Sequence, residues 1–237
     1  MQFRYSINHL FFLIAFCLAG FITSTYGQDF FGLDKKHPLA VDRTTAEVRI
    51  LAEFNPGAFS GRFKWTPRYH FVVWKKGRAA SEALFKAYVS DRDFYAALER
   101  IGARPGNNLT TAAWDERNNP GHPAPDTRIE GTPVDIRVWW KGLSKPIPVD
   151  SLLVDPGGQG FDFRFGGNLA LIPEWKSGCI VCLYSCPGSK VGNRAYTIRD
   201  YARGTTRFEV RPQFRRGKKR KAVIFFRLRP EDSENQP

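Results

Sequence analysis

Residues 134–140 read Val134-Asp135-Ile136-Arg137-Val138-Trp139-Trp140. Apolar Val134, Ile136, Val138 and Trp140 alternate with Asp135, Arg137 and Trp139. A period of two marks a strand with one face on a core. On this reading the tryptophan pair supplies one core and one edge residue. Phe161-Asp162-Phe163-Arg164-Phe165 repeats the alternation without error, between Gly157-Gly158 and Gly166-Gly167. Glu47–Phe54, Arg68–Trp74, Leu169–Trp175, Arg207–Arg211 and Ala222–Leu228 are further expected strands.

Between these strands the period changes. Asp91–Ile101 predicts a helix, with Phe94, Ala97, Leu98 and Ile101 as its buried stripe. Ser90 is placed to cap it, with Asp93 three residues on, and Gly102 is a natural stop. Ala80–Val89 reads as a second helix, with Leu84, Phe85 and Tyr88 on one face, and Thr111–Arg117 as a short third. Asn118–Pro125 (NNPGHPAP) is a loop, too short to divide two domains. Helices in the first half and strands in the second predict an α+β fold. It would be one domain with a largely antiparallel sheet and two main helices in the first half. The 20 Phe and 6 Trp of the 237-residue chain predict an aromatic core.

The N-terminus reads as an export signal spanning residues 1–27. Arg4 supplies the positive charge, and Leu10–Ile22 is an apolar run shorter than the ~20 residues a bilayer-spanning helix needs. Thr25 and Gly27 suit a cleavage site after Gly27, which places the protein in the periplasm or outside the cell. Residues 28–211 form the expected domain, and 212–237 a basic C-terminal extension containing a last strand. The formal charge is +13, and from Arg211 onward nine basic residues face three acidic ones. Arg215, Arg216, Lys218, Lys219, Arg220 and Lys221 therefore form a candidate contact for an anionic envelope surface. Nucleic acid ranks below that surface, because an exported protein rarely meets it. A solvated loop between two strands is the simpler alternative.

The chemistry concentrates in Ser177–Gly188, which reads SGCIVCLYSCPG. Cys179, Cys182 and Cys186 are the only cysteines after residue 27. Thiols this close suit a metal, a cluster or disulfide chemistry, since each needs sulfurs within a few ångströms. Haem attachment is excluded, because Leu183 stands where C-x-x-C-H has histidine. A four-cysteine zinc ribbon lacks its second pair. The run C-x2-C-x3-C-P repeats the last three cysteines and the proline of a bacterial ferredoxin motif, but Lys176 occupies the first-cysteine position. Three thiolates with one imidazole suit zinc, and thiolates alone suit Cu(I), so zinc or copper ranks ahead of an iron–sulfur cluster. His37, His70 and His122 are candidates for the fourth ligand, with His70 and His122 put forward, and none sits at a local spacing that singles it out.

Two other readings remain open. One is a structural disulfide with a leftover thiol. The other is active thiol–disulfide exchange, with Lys176, Lys190 and Arg194 lowering a thiol pKa and Cys186 resolving a mixed disulfide. If the segment coils as a helix, positions i, i+3 and i+7 bring all three thiols to one face. No G-x-S-x-G, H-E-x-x-H or phosphate-loop motif is present, so nothing argues specifically for an enzyme.

Four blocks carry a resemblance: Gly77–Phe85 (GRAASEALF), Leu98–Asn108 (LERIGARPGNN), Gly160–Asn168 (GFDFRFGGN) and Lys176–Arg194 (KSGCIVCLYSCPGSKVGNR). Together they resemble exported bacterial proteins of the YdjY-domain family, over roughly Pro38–Val210. The resemblance implies an exported domain with a cysteine-rich site, and the ferredoxin-like label of some members implies an iron–sulfur cluster. The combined expectation is an accessory in envelope metal or redox chemistry, with a metal-handling or redox partner. The alternative is a non-catalytic envelope-binding domain with structural cysteines.

Overall fold

The computed structural model describes residues 30–59, 68–215 and 219–230. The expected signal (1–27), Arg216 and Lys218 lie outside the described residues. Among these described residues twelve strands occur in chain order. They are β1 (Leu39–Asp42), β2 (Glu47–Phe54), β3 (His70–Trp74), β4 (Phe85–Ala87), β5 (Val134–Trp139) and β6 (Ile147–Pro148). They continue with β7 (Leu153–Val154), β8 (Phe163–Phe165), β9 (Cys179–Cys182), β10 (Val191–Asn193), β11 (Glu209–Val210) and β12 (Arg220–Leu228). The helices are α1 (Asp91–Arg100), α2 (Thr111–Asp115), α3 (Val149–Leu152), α4 (Ile172–Trp175), α5 (Ile198–Arg203) and α6 (Pro212–Arg215).

One sheet runs β6-β5-β12-β2-β4-β3-β9-β10-β8, with β1 beside the first half of β2. Only β3/β4 and β9/β10 are parallel; the other pairs are antiparallel. The protein is thus α+β with a mostly antiparallel sheet in a single domain. Strand β12 lies between β5 and β2, so residues 220–228 are a central strand rather than part of an appendage.

The alternation of β5 holds as far as Val138. Val134, Ile136 and Val138 are buried, and Asp135 and Arg137 are exposed. Trp139 departs from the expected edge position, since both tryptophans are buried. Trp140 stacks on Phe54 in the main core, at 5.0 Å between ring centres. Trp139 joins Leu33, Leu51, Val223 and Phe225 on the opposite face, where Phe30 and Phe31 close over it. The segment before β1 therefore covers the second face of the sheet, and alternation alone cannot reveal a second cover. On the main face Phe94 of α1 meets Phe226 of β12 at 4.6 Å.

Helix α1 follows its prediction. Ser90 Oγ accepts from Asp93 N at 3.0 Å, and Gly102 sits in left-handed backbone (φ +95) just past the end. Three expectations fail. Residues 80–89 are a 3-10 turn (Arg78–Glu82) and strand β4, so α1 is the one long helix among the described residues. The gap between β2 and β3 buries Phe85 and Ala87 and exposes Lys86 to a lesser degree, which imposes a period of two on a sequence with helical propensity. Leu169–Trp175 is a 3-10 turn running into α4, not a strand. Pro173 cannot donate to a ladder, and Asn168 (φ 55) and Lys176 (φ 50) turn the chain at both ends. The thiol segment is a strand and a loop, not a helix.

Candidate functional site

Strand β9 brings Cys179 and Cys182 into the sheet between β3 and β10. In a regular strand, residues three apart face opposite sides. Here the pairing with β3 slips twice: His70 faces Cys182, Val72 faces Val181, and Val73 faces Cys179. Ile180 is an extra residue against β3, and such a bulge shifts the side-chain phase by one. Cys179 and Cys182 are thereby close enough to act on each other's ionisation, and Cys182 stands in the same relation to Cys186. All three are free thiols. They are 1%, 1% and 5% exposed in chain order.

The loop after β9 is braced by buried polar groups. Ser185 Oγ accepts from Ile129 N at 3.1 Å, and Ser185 N donates to Tyr196 O at 2.7 Å. Asn168 Nδ2 donates to Ser189 O at 2.8 Å, and Ser189 Oγ to Cys186 O at 2.9 Å. Lys190, 1% exposed, donates from Nζ to Asn168 O at 3.0 Å. Buried polar groups need partners, so this web holds Cys186 in one place. On the other side Gly77 packs against Ser177–Gly178. A Cβ on Gly77 would lie 2.2 Å from Ser177 O, so only glycine lets the chains approach.

The charges around the thiols are uneven. Cys179 is pushed down to about 6. The Cys182 thiol donating to it is the largest cause, opposed by burial and helped by His70 and Lys190. Burial, with its two thiol neighbours, pushes Cys182 well up. Burial lowers Lys190, and nearby Asp91, Cys179 and Cys186 oppose that. Burial raises Asp91, against the pull of Lys190. A low-pKa thiol beside a high-pKa one is the arrangement of an attacking and a resolving cysteine.

Of the histidines among the described residues, only His70 joins this group. Its ring contacts Cys179, its Nε2 lies 3.8 Å from Glu82 Oε2, and its buried Nδ1 has no hydrogen-bond partner. His122 is exposed in its loop, where Nδ1 accepts from Ala124 N, and His37 is exposed beside Asp34. Among the described residues, no group of three or more His, Cys, Asp or Glu is arranged to hold a metal ion. Cys182 acts on both Cys179 and Cys186. Of the basic residues expected to act on the thiols, Lys190 does so. Arg194 pairs instead with Glu130, and Lys176 is exposed at the end of α4.

A cleft of about 520 Å³ opens over the thiols. Cys179, Cys186 and His70 line it, and Cys182 does not. Its aromatic wall is Tyr69, Trp114 and Trp175, with ring centres 6.3 and 6.0 Å apart in that order. Arg78, Glu82 and Glu174 supply its charges. Sequence patterns missed this wall, because its three rings come from separate segments. The basic run 215–221 is partly drawn into the fold. Arg215 pairs with Glu209 at 2.7 Å, Arg220 lies over Phe54 and Trp140, and Lys221 lies over Phe30. Lys219 is exposed. No helix among the described residues is long and apolar enough to cross a membrane.

Comparison with known proteins agrees with the four sequence blocks and extends them. No solved structure matches. "Uncharacterized protein YdjY" of Escherichia coli (strain K12) is 37% identical over 166 residues, which cover 70% of this chain and 67% of that protein. The YdjY domain matches residues 39–226, past the Val210 limit of the resemblance and as far as Phe226 in the central strand β12. The chain belongs to the YdjY-domain family.

Proposed function

We propose that this protein is an exported thiol-redox accessory in which Cys179, Cys182 and Cys186 carry dithiol–disulfide chemistry. One observation carries the reading. Cys179 and Cys186 line a cleft, and Cys182, which does not, neighbours both closely enough to act on their ionisation. A mixed disulfide formed at Cys179 can therefore be resolved by Cys182, with His70 alongside to accept and return the proton. The signal-like residues 1–27 support export, where disulfides persist. The test is thiol counting against redox potential, followed by peptide mapping. Reversible loss of two thiols per chain, with Cys182 in the disulfide, is the expected result. Three thiols that resist a mild disulfide oxidant would end the proposal.

A metal centre is the second reading, favoured by the buried, partnerless Nδ1 of His70 beside Cys179. Cys179, Cys182, Cys186 and His70 would make a Cys3His set suited to zinc, or the thiols alone a site for Cu(I). An iron–sulfur cluster has less support, since Lys176 stands at the first-cysteine position and is exposed. Elemental analysis of protein from its native compartment separates the readings. About one metal per chain, with thiols reactive only after chelation, would favour the metal. Binding of the basic run to an anionic envelope surface has the least support, because Arg215, Arg220 and Lys221 have contacts within the fold.

A further inference from the structure

The cleft narrows the choice of oxidant. Cys179 and Cys186 are 1% and 5% exposed, and the approach to them is the space between the aromatic wall and the 3-10 turn at Arg78–Glu82. At about 520 Å³ the cleft has the size of a small-molecule site. A disulfide fixed on the surface of a folded partner cannot bring its sulfur to so deep a thiol. A free low-molecular-weight disulfide can.

The lining also carries charges of both signs. Glu82 is engaged by His70. Arg78 and Glu174 are exposed at the cleft, one able to bind a carboxylate and the other an ammonium group. Trp175 forms part of the wall and packs on Gly188, where a Cβ would come within 2.8 Å of its ring. The wall thus reaches the Cys186 loop without a gap, and offers an apolar surface to the methylene and sulfur portion of a ligand.

We propose that the cleft binds a small zwitterionic disulfide of the cystine class, which Cys179 attacks and Cys182 resolves. The proposal rests on the thiol-redox reading above. In the first step the Cys179 thiolate sulfur bonds to one ligand sulfur, the ligand S–S bond breaks, and one half leaves as a thiolate that takes a proton from solvent. In the second, Cys182 sulfur bonds to Cys179 sulfur, the mixed disulfide breaks, and the other half leaves with the Cys182 proton. Two protein thiols are oxidised, and one ligand disulfide is reduced to two thiols.

The experiment uses reduced full-length protein and two probes, cystine and uncharged hydroxyethyl disulfide, read by intact-mass spectrometry over time. Every rate is divided by that of the same probe with a small free thiol, which cancels the better leaving group of cystine; on that scale the wild type should lose two thiols about tenfold faster with cystine than with the neutral probe, as charge-assisted contacts allow. Cys182→Ser should trap one half-cystine on Cys179. Arg78→Met with Glu174→Gln, both exposed and away from the thiols, should bring the two rates to within about twofold. Equal rates on the wild type would overturn the zwitterion proposal and leave the redox reading standing. No reaction with either probe would overturn both. Adduct formation at Cys186 alone would overturn the assignment of Cys179 as the attacking thiol.

Discussion

Along β5, β12 and β2 the pairing runs without a break, Val134–Trp139 against Leu228–Val223 and Glu47–Phe54 against Arg227–Arg220. Across β3 and β9 it slips twice, and the neighbouring β3/β4 and β9/β10 pairs are parallel. The regular region buries Val48, Ile50, Ala222, Ile224 and Phe226 on one face, and Leu51, Val223 and Phe225 on the other. The slipped region buries His70, Ser185, Ser189, Lys190 and Asn193 among its apolar residues. Buried polar groups cost free energy unless they are bonded, so a fold built for stability alone would not gather them. They occur around the thiols, where a bulge is also needed to put Cys179 and Cys182 together. One region carries the stability, and the other holds a chemical arrangement in place.

The sharpest test of this division removes the ring of Phe226. It is fully buried against Phe94, and Phe226→Ala should cost about 3–5 kcal/mol in denaturant unfolding. Below the transition, the alkylation rate of Cys179 should stay at the wild-type value. A changed rate would couple the two regions. Gly77→Ala should act in the opposite way. Its Cβ would strike the Ser177 carbonyl, costing about 2–3 kcal/mol, and it should also alter thiol reactivity because Ser177–Gly178 leads directly into β9. Normal reactivity in a destabilised Gly77→Ala protein would contradict the role given to that contact.

A third test stays within the thiols. Cys179 is held at about 6, so it is thiolate and reactive above that pH, and its reactivity disappears as the pH falls through it. Cys182→Ala removes the largest cause and should move the midpoint up, slowing alkylation at pH 6.5 by about tenfold. An unmoved midpoint would assign the effect to His70 and Lys190 instead. The smallest effect belongs to the cap of α1. Ser90→Ala should cost about 1 kcal/mol and leave the thiols unaffected.

Legibility in the sequence divides along the same line. The strands β2 and β5 could be read from stretches of period two, β12 from its run of β-branched and aromatic residues, and the helix α1 from its helical stripe and cap. Strand β4 could not, since its place between β2 and β3 outweighs the helical propensity of Ala80–Val89. Spacing drew attention to Cys179, Cys182 and Cys186, and the charges nearby pointed to Lys190. It gave a helix as the means of gathering the thiols, whereas a bulged strand does so. Nothing local singled out His70 over His122, because the choice depends on β3 lying beside β9.

The sequence by itself determined the α+β class, the largely antiparallel character of the sheet, the close spacing of three thiols and the family. These follow from local periods, from short spacings and from blocks of contiguous residues. The tertiary structure alone decided which histidine meets the thiols, which thiol stays behind the other two, and that Tyr69, Trp114 and Trp175 wall one cleft over them. Those relations join residues far apart in the chain. They are set by strand order, register and packing, and no window of sequence contains them.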